Sequence, residues 1–179
     1  FSDCYRNKSV VITGHTGFKG AWLALWLKKM GAKVYGISKS ETENGTLYNS
    51  LKQLNFEKEY YIDIIDSDKT VKILSVVRPD FIFHLAAQPI VSVAYQNPFE
   101  TMATNALGTA SILQYLTICE HPTVAVMITS DKCYENIETI WGYKETDKLG
   151  GADPYSASKA MAELAISSYF RSFLVTRSN

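Results

Sequence analysis

Tyr155 and Lys159 stand four residues apart in Tyr155-Ser156-Ala157-Ser158-Lys159, directly after Pro154. In a helix, positions i and i+4 share a face, and an ammonium beside a phenol favours the ionised oxygen. A tyrosine so placed can act as general base towards an alcohol or sugar hydroxyl. Ser130-Asp131-Lys132 offers a hydroxyl, a carboxylate and an ammonium straight after the apolar run 123–129. Such groups are expensive to hold at a strand end without partners. A third stretch, Gly14-His15-Thr16-Gly17-Phe18-Lys19-Gly20, follows the apolar run 9–13. Strand, glycine turn and helix let backbone N–H groups and a helix N-terminus face an anionic phosphate. Taken singly, each has an ordinary reading: a surface Tyr–Lys pair, a solvated Asp–Lys pair, and a tight βα turn. The glycine spacing is G-x-x-G-x-x-G, not the commonest dinucleotide fingerprint. Their order along one chain is what favours a site.

The elements that would position these groups follow from periodicity. Apolar runs at 9–13, 33–38, 60–64, 81–87 and 123–129 read as five strands, those at 81–87 and 123–129 as buried ones. Helical patterns lie between them: 21–30, apolar nearly all round and expected to be mostly buried; 47–56, with Leu47, Leu51 and Leu54; 67–77, capped by Ser67 or Asp68; and 98–119, opened by Pro98. Gly31 is expected to end the first. The polar segment 40–45 is a loop, and the long segment 130–153 has the length of a functional one. A helix from Pro154 to about residue 173 and a sixth strand from Leu174 to Arg177 complete the pattern. The direct step from helix to strand at 173–174 lacks turn residues, which suggests missing residues there.

Alternating strands and helices predict an α/β fold, a doubly wound parallel sheet of Rossmann type. Ligands in that fold sit at the carboxyl ends of the strands. The glycine turn, Asp63, residues 85–88 and residues 129–132 all fall at such ends. Residues 1–179 are expected to form one dinucleotide-binding domain carrying the active-site residues. A C-terminal substrate domain is expected outside the sequence given.

Composition excludes some classes. The 18 basic and 18 acidic residues cancel, so no nucleic-acid-binding patch is indicated. The apolar runs are strand-sized and predict no membrane span. No apolar signal core opens the chain, and the three cysteines lack a C-x-x-C spacing, so a cytoplasmic protein with reduced thiols is expected. The cysteines and histidines form no zinc set. His84 reads as a packed strand residue. Lys39 reads as a solvated charge, although a lysine flanked by Ser38 and Ser40 would also suit a 2′-phosphate. Trp141-Gly142-Tyr143 with Gly150-Gly151 suggests an aromatic flap or ordinary loop packing.

Together, Thr13-Gly14-x-x-Gly17-x-x-Gly20, Asp63-Ile64, His84-Leu85-Ala86-Ala87, Asn105, Ser130 and Tyr155-x-x-x-Lys159 resemble the extended short-chain dehydrogenase/reductase family. Within it, residues 13–20, 84–89, 129–136, 142–145 and 149–159 are most similar to the CDP-glucose 4,6-dehydratases. The resemblance implies an NAD-dependent internal redox cycle. Tyr155, helped by Lys159 and Ser130, would remove the C4 hydroxyl proton as hydride passes to NAD. Asp131 would act as acid at the C6 oxygen and Lys132 as base at C5, where the dTDP-glucose branch carries Asp-Glu. Hydride would return to C6, giving CDP-4-keto-6-deoxyglucose for deoxyhexose and surface polysaccharide (O-antigen) synthesis. The cofactor contacts implied are Gly14, Thr16, Gly17, Phe18, Lys19, Gly20, Ser38, Asp63, Ile64, Leu85, Ala86, Ala87, Gln88, Asn105, Thr129, Tyr155 and Lys159. Asp63 and Ile64 would border the adenine. A homodimer or homotetramer is implied through the helices from Pro98 and Tyr155, with Ala110, Leu113, Leu116, Ala162, Leu164 and Ala165 as apolar surface. A 4-epimerase or another nucleotide-sugar dehydratase would share Tyr155 and Lys159; a non-catalytic dinucleotide module would have little use for them.

Overall fold

The computed structural model describes residues 3–40, 47–51 and 55–175. Five strands, β1 (Ser9–Thr13), β2 (Lys33–Ser38), β3 (Lys58–Tyr61), β4 (Phe81–His84) and β5 (Val124–Met127), form one sheet. The order is β3-β2-β1-β4-β5, and every pairing is parallel. The chain builds outward from β1 in one direction, then in the other, so the order reverses between β1 and β4. That switch point leaves a crevice beyond their carboxyl ends.

The helices are α1 (Phe18–Lys29), α2 (Leu47–Ser50), α3 (Ser67–Val77), α4 (Val91–Gln96), α5 (Pro98–Met102), α6 (Gly108–Ile118) and α7 (Pro154–Tyr169). Successive β1 side chains point to opposite faces. Val10 and Ile12 pack with Ala24 and Leu27 of α1. Val11 packs with Leu74 of α3 and with Ile112 and Leu113 of α6. Both faces of β1 are thus covered, which is why it reads as a continuous apolar run.

Several expectations need correction. Trp22 and Trp26 of α1 are 51% and 65% exposed, since only one side of this all-round apolar helix meets the sheet. On β5, Val124 and Val126 are likewise exposed, because no described helix covers that face of this edge strand. Asp66, not Ser67 or Asp68, caps α3 by accepting from the Lys69 N–H. The helix expected over 47–56 forms as Leu47–Ser50, and Leu54 lies outside the described residues. Most of the 40–45 loop lies outside them too. Residues 98–119 form α5, a π-helical turn (Ala103–Leu107) and α6 rather than one regular helix. Leu174 closes a second π-turn, Phe170–Leu174, after α7 and starts no strand; Thr176 and Arg177 lie outside the described residues. Leu113, Leu116 and Ala162 are buried in the chain's own core, so they are not free to meet a second copy. Gly31 does follow α1, at φ +82°.

His84 ties β4 to its neighbours. The Thr109 hydroxyl donates to Asn105 O at 2.8 Å, so it accepts from His84 Nε2–H at 3.1 Å. His84 Nδ1 then accepts from Thr13 Oγ1 at 2.8 Å, and Thr13 Oγ1 accepts the Ala86 N–H at 3.1 Å. The network requires a neutral imidazole. Burial, with the Lys159 charge adding to it, pushes His84 down to about 3. Between that value and the ordinary 6.5, the unfolded chain binds a proton that the folded one refuses. Stability therefore falls as pH drops through this window, by up to about 1.4 kcal/mol per pH unit for one group, and levels off near the lower value. Buried His15, also held below the usual imidazole range by burial, adds to the slope. Urea titrations at stepped pH should show the decline, and His84→Gln should make it shallower.

Candidate active site

The crevice beyond β1 and β4 is a cleft of about 630 Å³, within the range of ligand pockets. Its floor is the glycine turn. Gly14 has φ +72°, and a Cβ there would lie 2.9 Å from Ala86 N. A Cβ on Gly20 would lie 2.2 Å from Gly14 O, an overlap with backbone that cannot be relieved by a rotamer change. The turn is therefore wound too tightly for side chains, and α1 starts directly against it. Gly17 caps α1 without a side-chain hydrogen bond, and its first turn holds no acidic residue. The helix N-terminus thus keeps open N–H groups and a positive dipole end towards the cleft, which suits the diphosphate of a dinucleotide. Thr16, Gly17, Phe18 and Lys19 line the cleft beside them.

The other strand ends close around it. Ser38 at the end of β2 lines the cleft, and its Oγ lies 3.1 Å from both Thr16 Oγ1 and His15 Nδ1. His15 in turn reaches Glu59 at 2.9 Å, so the glycine turn is tied to β2 and β3. Asp63 and Ile64 line it after β3, and Leu85, Ala86, Ala87 and Gln88 after β4. Lys39 is solvated as expected, its side chain 62% exposed, and it also pairs with Asp63 and Glu100.

Tyr155, Lys159 and Thr129 line the far part of the same cleft. Asp153 sets their position. Its Oδ1 accepts the Tyr155 and Ser156 N–H groups at 2.9 and 3.0 Å, and Pro154 fills the first turn. Burial pushes the Asp153 carboxyl up, but the Ser156 hydroxyl donating to its Oδ2, together with these N–H groups, outweighs it and holds the carboxyl below the usual range. Lys159 follows one turn later, 6% exposed, donating to Ile128 O at 3.3 Å. Burial lowers its affinity for a proton; Glu163 opposes this and Lys19 adds to it. Thr129 donates to Glu163, so the end of β5 is held against α7. A buried phenol and a buried ammonium at the mouth of a dinucleotide-shaped cleft can move a proton next to a bound redox cofactor.

Residues 11–179 match the family described as GDP-mannose 4,6 dehydratase. The chain belongs to that family, among the extended short-chain dehydrogenase/reductases. It is 41% identical to a CDP-glucose 4,6-dehydratase of Salmonella typhimurium, over 94% of this chain and 47% of the relative. It is 31% identical to a GDP-mannose 4,6-dehydratase of Vibrio cholerae, over 94% and 47%. The chain spans about half the length of the curated relatives it matches. Among solved structures, an L-threonine dehydrogenase of Clostridium difficile superposes with TM-score 0.81 at 20% identity, covering 95% of this chain and 51% of that one. A UDP-glucose 4-epimerase of Brucella ovis in complex with NAD gives 0.78 at 20% identity, covering 93% and 49%. Both share the fold.

Not every expected site residue of this dehydratase-family chain faces the cleft. Asn105 is 1% exposed and sits behind it. It accepts the Gln88 N–H at 2.8 Å, and its Nδ2 donates to Gln88 O at 3.1 Å and Ser158 Oγ at 2.8 Å. The π-turn that turns it inward lets it clamp the β4 loop to α7, so it supports the lining rather than forming it. Ser130 caps a 3₁₀ turn, Asp131–Cys133, that packs against α7. Its Oγ lies 3.1 Å from Asp131 Oδ1 and accepts the Lys132 N–H at 3.2 Å. Asp131 and Lys132 are exposed and line an adjoining hollow with Tyr134, Asn136, Tyr143 and Asp153. The segment expected to be an aromatic flap or ordinary loop packing is packed there: Tyr134 stacks on Tyr143 with ring centroids 5.2 Å apart, and Tyr134 bridges to Leu149. Glu100 and Thr104 also line the cleft; only the fold reveals them, because they come from α5 and the π-turn.

The glycine geometry makes a direct prediction. Gly20→Ala should either destabilise the protein by about 1–3 kcal/mol or displace the turn and weaken dinucleotide binding at least tenfold. Thermal melts together with fluorescence titration of NADH would detect either effect. Unchanged melting and unchanged affinity would contradict the contact.

Proposed function

We propose that the full-length protein is a nucleotide-sugar 4,6-dehydratase that converts CDP-glucose to CDP-4-keto-6-deoxyglucose with NAD. The observation that carries the reading is the buried Tyr155–Lys159 pair at the mouth of the dinucleotide cleft, next to a separate hollow edged by Asp131 and Lys132. Oxidation and return at one carbon need only the first set; removing water between C5 and C6 also needs an acid and a base. The 41% identity to the Salmonella enzyme supports the cytidine nucleotide.

In this reading Tyr155 takes the C4 hydroxyl proton, with the Lys159 charge one turn away and the Ser130 hydroxyl at the end of β5. Bound NAD would supply the store for one hydride, taken from C4 and returned to C6. Lys132 removes the C5 proton, acidified by the C4 ketone, while Asp131 protonates the departing C6 oxygen; the Lys132 ammonium gives a proton back to C5 as hydride reaches C6. Gly14 to Gly20 and the N-terminus of α1 hold the diphosphate, with Ser38, Asp63 and Ile64 at the adenosine end and Leu85 to Gln88 along the path between. The rest of the protein supplies most base recognition. The protein acts in the cytoplasm, supplying a deoxy-sugar nucleotide for surface polysaccharide. It pairs with a second copy through the α5–α6 and α7 faces, where Leu107, Met161 and Leu164 stay exposed. Among the described residues, no helix is long and apolar enough to cross a membrane.

The test is to incubate the full-length protein with CDP-glucose and dTDP-glucose separately and read the alkaline absorbance of a 4-keto-6-deoxy product. Product from CDP-glucose alone is expected. A 4-epimerised sugar with no keto product would support the epimerase reading.

A further inference from the structure

The adenosine end of the cleft carries an unusual charge arrangement. In this fold an acidic residue near the end of the second strand meets the ribose 2′-hydroxyl, and a basic one accommodates a 2′-phosphate. Here the residue following β2 is Lys39, which alone would favour the phosphate. Its Nζ lies 3.1 Å from Asp63 Oδ2 and 2.9 Å from Glu100 Oε1, and all three residues line the cleft. Glu100 comes from the first turn of α5, 61 residues further along the chain. One ammonium between two carboxylates leaves a local charge of minus one.

We propose that Lys39, Asp63 and Glu100 form an electrostatic gate that admits an adenosine ribose with a free 2′-hydroxyl and rejects one carrying a 2′-phosphate, with Glu100 setting its sign. The proposal rests on the dinucleotide reading of this cleft. A hydroxyl can donate to either carboxylate and accept from Lys39. A phosphate only accepts; it meets two carboxylates and one ammonium whose charge those carboxylates already outweigh. The rejection is a built-in repulsion rather than a missing attraction. The Glu100 carboxylate, and Asp63 after it, also holds the Lys39 ammonium above the usual lysine range, so the ion stays charged and paired. Asp63 has a second task, since its Oδ1 accepts the Ile65 N–H at 3.2 Å. Glu100 is exposed on α5, which makes it the cleaner residue to change.

The test is equilibrium binding of NADH and NADPH to the full-length protein, followed by nicotinamide fluorescence without sugar substrate. The wild type should bind NADH at least about tenfold more tightly. Glu100→Gln should raise the NADPH/NADH affinity ratio by roughly three- to tenfold, and high salt should shrink that gain. Adding Lys39→Met to Glu100→Gln should abolish it, because the freed ammonium is what holds the phosphate. A wild-type preference for NADPH overturns the proposal. So does an NADPH/NADH ratio that moves less than about twofold in Glu100→Gln, in a protein that still binds NADH. If the folded wild type binds neither nucleotide, the dinucleotide reading itself fails and the gate falls with it.

Discussion

Replacing Tyr155 by phenylalanine in the full-length protein should lower kcat by roughly 10²–10⁴-fold, with NADH affinity kept within a few-fold. The substitution removes one oxygen. The helix start remains, because Asp153 caps it through backbone N–H groups and Pro154 occupies its first turn. Lys159→Met should be as damaging to turnover, yet it should not destabilise the fold. The ammonium is almost fully buried, and burial is the main cause lowering its proton affinity, against Glu163 and with Lys19. Between that lowered value and the ordinary 10.5, the unfolded chain binds a proton the folded one holds less well. Stability attributable to this site therefore rises with pH across the window, and at neutral pH the charged lysine is a liability. Methionine of similar length removes that cost, so Tm should hold or rise by a few degrees. A dead but stable variant is the signature of a lysine kept for chemistry. Loss of activity together with a falling Tm would instead mark Lys159 as a structural residue.

Both residues, and the glycine turn, were legible because their signals are local. A Tyr and Lys at i and i+4, or glycines between a strand and a helix, carry their geometry in spacing alone. The parallel sheet was legible for a related reason: strands covered on both faces read as unbroken apolar runs. What escaped reading depends on distance in sequence. Lys39 does stay 62% exposed, but its pairing with Glu100 escaped because β3 and β4 separate the two residues along the chain. Asn105 looked like a lining residue because nothing in its neighbours announces a π-turn that rotates it behind the Gln88 loop. The exposure of Trp22 and Trp26 escaped because an all-round apolar helix does not say which side meets the sheet. Val124 and Val126 escaped because a strand's own residues do not say that it is an edge.

Lys132→Met should separate the two halves of the proposed reaction. Lys132 lies on the hollow beside the cleft and not among the groups that line the cleft itself. Its removal should leave NADH binding and C4 oxidation in place. The 4-keto-6-deoxy product should fall by roughly 10²–10⁴-fold, and exchange of the C5 hydrogen with solvent deuterium should disappear with it. Lys132→Glu should recover part of the lost product, since a carboxylate there recreates the Asp-Glu pair of the dTDP-glucose branch. Its pH profile should shift to lower pH, because a glutamate becomes a competent base well below the range in which a lysine does. A fully active Lys132→Met would remove Lys132 from the mechanism and leave C5 to a group outside this half of the protein. The physical difficulty for lysine as base is its charge: it must lose a proton near neutral pH, which requires burial or nearby cations. Lys132 is exposed among the described residues, so its desolvation has to come from bound sugar nucleotide and the remainder of the full-length protein closing over the hollow. Product formation should therefore depend on closure far more steeply than dinucleotide binding does.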